Sequence, residues 1–528
     1  MKRLFLAILA LLALCGPAYA DPAPSGLKAV YKITDGGAAS RIGVTDASGN
    51  LIFTDLNTLL SSGSYGVSWN ETADTYSRTG LTSAVAVGTK PADSLMPVHA
   101  AMRPCVINDA GAVVYYLNPA NITQKLDGSA STLTGADGQV MLEIPAFYER
   151  YSYVAPVHTH EISLAPLAGF TLNPAFTKDG ANVGYRYMGL YEGVLYDTSE
   201  SRYADGIYQT AFSCTFATAD DSITADARTA PFKNSSVGDK VTITGTVSNN
   251  ATVTIASLVS DTKITTTENL TDETAAATVI QTQKDWTATT GDKLSSVSGK
   301  TPIIYGTRAQ FRVAARNRGA GWRQLDWDLY TAFQRLYLVE YASFNSQSMI
   351  GASITAVTDW AAYNDYNPIA KTGNANAVAA STANNAGSTS AATESTKYLR
   401  YRWVENPFGH IWKWADGINI NNNVPYATNV ATNWADDTAT NYTSLGITLA
   451  AADGYQATLT AISRGFLPLT VGASSSTKIT DYYYEGAGWQ VVSVGGTAYS
   501  GGYAGAFCVS AYNASGSAGR IIGGRLCF

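Results

Sequence analysis

Histidine occurs only four times in the 528 residues, as His99, His158, His160 and His410, and only His158-Thr159-His160 brings two imidazoles close in sequence. Alternate side chains of a strand share a face, so this pair would grip a metal ion if a third ligand arrived from elsewhere; without one it is two strand histidines. The five cysteines include no C-x-x-C pair, and nothing beside Cys508 or Cys527 in the sequence supplies the base or cation that turns a thiol into a nucleophile. These residues set up no catalytic centre, and we expect no enzyme activity, no metal and no cofactor.

The composition points to binding rather than turnover. Charged residues make up 14% of the chain against 32 Tyr and 47 Gly, a balance of β-rich extracellular or fibre-like proteins. The net charge of -6, with no Lys/Arg cluster long enough to follow a phosphate backbone, excludes nucleic acid as a partner. Lys2-Arg3, the apolar run Leu4 to Leu14 and Ala18-Tyr19-Ala20 read as a leader over residues 1–20, cleaved before Asp21. The run is far shorter than the ~20 residues that span hydrocarbon. A lipid anchor on Cys15 is disfavoured by the large Leu14 before it. The mature chain is therefore expected to be exported: secreted, periplasmic or on the cell surface. It keeps Cys105, Cys214, Cys508 and Cys527, with disulfides and buried thiols both open.

The elements that must position any site follow from hydrophobic period. Residues 21–135 alternate short apolar runs with turn residues and read as an N-terminal β domain. A larger unit starts at 136 with Val140-Met141-Leu142-Glu143-Ile144 and is interrupted over 215–284 by a Thr/Ser/Val-rich β insert with a hairpin around Asn249-Asn250. From Arg308 to Tyr341, Trp322, Leu325, Leu329, Phe333, Leu336 and Val339 recur at helical spacing, predicting one amphipathic helix. Residues 371–396 contain no apolar side chain larger than Val and read as a mobile surface loop. Trp360, Trp403, Trp412, Trp414, Trp434 and Trp489 imply a loop-rich core of large aromatics.

Several longer segments occur in an order that carries a resemblance: GQVMLEIPAFYERY, LAGFTLNPAFTKDG, YRYMGLYEG, ARNRGAGWRQLDWDLYTAFQRLYLVEYASFNSQSMIG, YRWVENPFGHIWKWADGINI and GWQVVSVGG…AGAF…GGRLCF. Together they cover most of 138–214 and 305–528, and they resemble the C-type-lectin-fold variable proteins of diversity-generating retroelements, relatives of phage tail receptor-binding proteins. The resemblance implies an α+β, C-type-lectin-like (formylglycine-generating-enzyme-like) domain split into 136–214 and 285–528, with a variable ligand-binding region over about 489–528.

In that family a reverse transcriptase scatters Asn codons into a restricted set of residues. The resemblance therefore assigns Tyr499, Ser500, Tyr503, Cys508, Ser510, Tyr512, Ser517, Gly519 and Ile521 as variable ligand-contact positions within a framework that includes Ala504-Gly505-Ala506-Phe507 and Gly523-Gly524-Arg525-Leu526. Such a mixture suits a binding surface, because Tyr gives large amphipathic area at low rotamer cost while Ser and Gly adapt. Cys508 reads as a product of diversification, Trp489, Phe507 and Leu526 as core, and Tyr499, Tyr503 and Tyr512 as outward.

The implied function is a receptor- or adhesin-like protein for an unknown protein or glycan ligand. The alternatives are a phage tail fibre receptor-binding protein, which would have no use for a leader, and a formylglycine-generating-enzyme-like oxidase using Cys508 and Cys527, whose surroundings lack that enzyme's cysteine motif. Glu405-Asn406-Pro407 and Trp434-Ala435-Asp436-Asp437 only echo the calcium-site patterns of sugar-binding lectins, and a hard cation needs several convergent oxygens.

Overall fold

The computed structural model describes residues 63–199, 201–203, 212–226, 231–232, 235–281, 291–357, 370–377 and 398–528, and the backbone of three further strands, Val30–Thr34, Ser40–Thr45 and Leu51–Asp55. The expected leader over 1–20, residues 378–396 of the expected loop, and Trp360 lie outside the described residues. The fold is mainly β, with 39% strand against 12% helix, and its sheets curl.

Two sheets carry the larger body. One has the strand order Arg323–Gln324, Leu526–Cys527, Tyr185–Gly189, Gln139–Pro145, Arg103–Ile107, Val113–Asn118 and Asn121–Lys125. The other runs from Thr443–Ser444 through Val424–Ala427, Trp412–Asn421, Trp489–Val494, Val509–Asn513, Tyr482–Tyr484 and Gly454–Leu459 to Pro468–Val471. A boundary at 135 does not separate packing units. Every residue of Gln139–Pro145 is buried, so that strand needs a neighbour on each side, and Arg103–Ile107 supplies one through the Cys105↔Met141 register. Likewise Tyr65–Asn70 pairs with Val157–Ser163, with Trp69 opposite His158. Among the residues before 63, the three described strands form a sheet of their own.

The segment read as a β insert closes into a six-stranded barrel over Phe212–Gln281, around its own core of Phe216, Ile223, Val241, Ile243, Val253, Ile255 and Ile264. Lys240–Thr244 pairs antiparallel with Thr252–Ser260 across the Asn249-Asn250 turn. Closure removes the exposed strand edges that an insert of this size would otherwise present. All four described cysteines are free and buried.

The single helix expected from Arg308 to Tyr341 is instead two, Arg308–Arg316 and Trp327–Tyr341. Gly319 and Gly321, at φ +145° and +86°, turn the chain between them, and Arg323–Gln324 then joins the first sheet. Each helix has its own start signal: Thr307 and Gln310 form a capping box, and Asp326 accepts the Leu329 amide. The second helix is not amphipathic. All its residues are buried, so its apolar spacing reflects a central helix rather than a surface one. Its polar side chains point to three different segments: Asp328 to Arg464, Arg335 to Glu149 and Glu340 to Arg402.

The first helix is fixed by a buried charge network. Arg312 binds Asp416 through two bonds of 2.6 and 3.0 Å, Arg308 and Arg312 share an Asp436 oxygen, and Gln324 donates to Asp416 at 2.6 Å. Burial alone would raise the Asp416 pKa, but the Arg312 and Arg308 guanidiniums hold it below the ordinary 3.8. Removing one partner of such a network strands the other in low dielectric. Asp416→Ala is expected to cost about 3–5 kcal/mol in denaturant unfolding; a loss under about 1 kcal/mol would show that the network does not hold the helix.

Candidate ligand-contact surface

The tail is anchored at both ends. Trp489–Val494 lies between Trp412–Asn421 and Val509–Asn513, with Lys413 opposite Val494 and Ser493 opposite Ser510. Leu526–Cys527 is inserted between Tyr185–Gly189 and Arg323–Gln324 in the other sheet. The buried Arg525 donates to the Gly189 and Glu405 carbonyls at 2.8 and 2.7 Å.

Between these anchors the turn around Ala504–Phe507 is held by side chains from outside the tail. Gln347 donates to the carbonyls of Gly501 (2.9 Å) and Ala504 (2.7 Å). Tyr330 and Gln334 both donate to the Ala506 carbonyl at 2.7 Å, while the Ala506 amide donates to Ser346 Oγ at 3.0 Å. The Phe507 amide donates to Asp481 Oδ2 at 2.7 Å, and the Phe507 carbonyl accepts from Gln456 at 2.7 Å. Buried backbone groups need partners, and here none of these partners is a tail side chain. The clamp also explains the framework glycine, because a Cβ on Gly505 would lie 2.1 Å from Asp481 Oδ1.

The nine assigned positions divide into two groups. Tyr499, Tyr503 and Tyr512 are 45%, 43% and 68% exposed, and Ser517 is half-buried. The other five point inward, which corrects their assignment as contact residues. Ser500 is buried because its Oγ accepts the Thr497 amide at 2.9 Å. Cys508 is a packed core side chain among Trp412, Trp414, Val491 and Ile522, so its size is set by the core. Ser510 is covered at its pairing with Ser493 and accepts from Asn513 at 3.2 Å. Gly519 accepts the Tyr305 amide, and Ile521 lies in the same core as Cys508. Phe507 and Leu526 are fully buried. Trp489 is only half-buried, because it sits at the start of its strand with its ring 5.9 Å from Tyr426.

Aromatic rings from outside the tail, which residues 489–528 alone do not reveal, extend this surface. The Tyr503 ring lies 4.5 Å from Tyr482 and 5.4 Å from Tyr455; these two are 5.3 Å apart, and Tyr484 is 4.8 Å from Tyr482. The signal was present in Asp481-Tyr482-Tyr483-Tyr484-Glu485. Strand alternation sends Tyr482 and Tyr484 to one face and the fully buried Tyr483 to the other. Partial burial raises the Tyr455 and Tyr482 pKa values, so these two hydroxyls are neutral at physiological pH.

The other chemistry-bearing residues are engaged in the interior. His158 bonds Glu71 at 3.1 Å and Tyr151 at 2.9 Å, and His160 sits between Tyr151 and Phe466, its pKa lowered to about 3 by burial and by His158. Among the described residues no group of three or more His, Cys, Asp or Glu is placed to hold a metal ion. Glu405 and Asp436 do not converge: Glu405 accepts the Gly373 and Ala375 amides, while Asp436 serves Arg308 and Arg312.

Glu192 forms a buried acid-base set with His410 (2.6 Å) and Lys413 (2.9 Å), and of the three only Lys413 lines the neighbouring gap of about 10 Å³, room for at most one water. Burial opposes ionisation of Glu192, yet His410 and Lys413 bring its pKa to about 2. Burial pushes the Cys527 thiol up to about 12. No protein-family model matches the chain, and no curated protein matches it at a significant level of sequence similarity.

Asp481 gives the clamp a pH signature. Burial raises its pKa well above the ordinary 3.8, so the folded state keeps a proton that the unfolded chain releases. Its contribution to stability is full below 3.8 and is lost as pH rises through the folded value. Asp481→Asn keeps an acceptor for Phe507 without the ionisation, so its melting temperature should gain on the native protein as pH rises across that window. A gap independent of pH would refute this. Gly505→Ala should cost about 1–3 kcal/mol at every pH.

Proposed function

We propose that the chain is an exported ligand-binding protein, receptor- or adhesin-like, in which a C-type-lectin-like fold displays a tail surface diversified by a retroelement. The ordered motifs from GQVMLEIPAFYERY to GGRLCF support this fold, together with a tail whose strands lie inside both large sheets. The observation that carries the function is a division of labour in the tail turn: the backbone at Gly501, Ala504, Ala506 and Phe507 is held by Gln347, Tyr330, Gln334, Ser346, Asp481 and Gln456, while Tyr499 and Tyr503 face outward. A surface built this way changes its side chains without changing its shape.

Binding falls to Tyr499 and Tyr503 together with Tyr455 and Tyr482, with Tyr512 and Ser517 as further outward positions on the tail. Tyrosines on a rigid base supply contact area at little entropic cost, the usual makeup of binding hot spots. The partner is a protein or a glycan; a chain of net charge -6 offers no electrostatic footprint for nucleic acid. Export rests on the leader-like residues 1–20. No helix among the described residues is long and apolar enough to cross a membrane.

The test is a display library randomised at Tyr499, Tyr503, Tyr512 and Ser517 with the five buried positions held, panned against unrelated proteins and glycans. Folded binders with new specificities are expected, and in any one of them truncating the side chain at 503 should weaken binding by about 2 kcal/mol while stability changes by under about 1 kcal/mol. Recovery of no folded binder would overturn the proposal.

A further inference from the structure

A roomy cavity lies away from the tail surface, lined by residues of the first sheet and its neighbours. It is an open cleft of about 390 Å³, within the ~300–1,000 Å³ range of small-molecule sites. One wall is the pair Tyr196 and Tyr203, opposite each other on neighbouring strands with rings edge to face at 5.1 Å. Facing them are Asp109 and Asp137, with Lys293 and Arg318.

The cleft is built rather than left over. Gly135, at φ +94°, brings its loop so close that a Cβ would lie 2.0 Å from the Tyr203 hydroxyl. Arg318 is tied down, donating to the Leu294 carbonyl at 2.8 Å and to Asp109 at 2.7 Å. Lys293 reaches the other Asp109 oxygen at 3.4 Å, and Asp137 accepts from Tyr115 at 2.9 Å.

The chemistry of these walls selects a ligand class. Two carboxylates balance two cations, so the cleft carries no net charge to attract an ion. Its polar lining gives little return for an apolar ligand, which would desolvate those groups without pairing them. Carboxylate oxygens accept from hydroxyl groups, and tyrosine rings offer an apolar face to C–H groups. A molecule with hydroxyls around its edge and C–H groups on its face meets both walls. We infer that this cleft is a binding site for a neutral saccharide, separate from the tail surface and independent of its diversification.

The test is saturation-transfer NMR and calorimetry on the full chain with glucose, galactose, N-acetylglucosamine and maltose, and with N-acetylneuraminic acid and glutamate as charged comparators. At least one neutral sugar should bind. Tyr196→Ala and the near-isosteric Asp137→Asn should each weaken it at least tenfold, with Tyr503→Ala leaving it unchanged. The inference is overturned if no neutral sugar binds, if the charged comparators bind in preference, or if binding survives both cleft variants. Loss of sugar binding in Tyr503→Ala alone would place the sugar at the tail surface and equally overturn it.

Discussion

The constraint on which the rest of this structure depends is the burial of the backbone between Ala504 and Phe507. Ala504, Gly505 and Phe507 are buried and Ala506 is partly covered, and covered amides and carbonyls must be paired inside the protein. The pairing comes from the helix Trp327–Tyr341 through Tyr330 and Gln334, from Ser346 and Gln347 just beyond it, and from Asp481 and Gln456 in the neighbouring sheet. A helix that serves this purpose cannot lie on the surface. That is why Trp327–Tyr341 is enclosed on all sides and why its charges are matched one by one by Arg464, Glu149 and Arg402.

The same requirement accounts for the unusual amount of buried charge. Arg308, Arg312, Asp416 and Asp436 lock the first helix to the strand Trp412–Asn421, which carries the Trp489–Val494 strand on its edge. Arg525 anchors the far end of the tail. Such networks are weak contributors to net stability, but a wrong arrangement leaves charges unpaired and is strongly penalised. In this molecule they fix where the tail starts and ends. Between these anchors Tyr499, Tyr503 and Tyr512 are exposed.

Much of this was legible in the sequence, and the failures have physical causes. The Thr/Val alternation of Lys240–Thr244 marked the β insert, and the apolar spacing before Tyr341 marked the helix. Periodicity could not reveal that Gly319 and Gly321 break the helical run, or that its second half is covered on every face. Strand pairing across 135 is a long-range fact with no local signature. At the tail, residue type alone separated tyrosines from Phe507 correctly, but small residues such as Ser500, Cys508 and Ser510 fit either side of a sheet, and only the fold decides between them. Tyr482 and Tyr484 were readable from alternation; their meeting with Tyr455 and Tyr503 was not.

A scaffold separate from its contact surface requires that the shape of the tail turn be independent of the side chains it displays. Hydrogen–deuterium exchange on peptides covering 497–510 tests it most directly, comparing the native chain with a variant carrying Tyr499→Ala, Tyr503→Ala and Tyr512→Ala, and with Gln334→Ala. Protection around Ala506 and Phe507 should be the same in the native chain and the triple variant, and should fall in Gln334→Ala, where one of the two side-chain donors to the Ala506 carbonyl is removed. Loss of protection in the triple variant would mean that the tyrosines hold the turn themselves, and would contradict a scaffold separate from its contact surface.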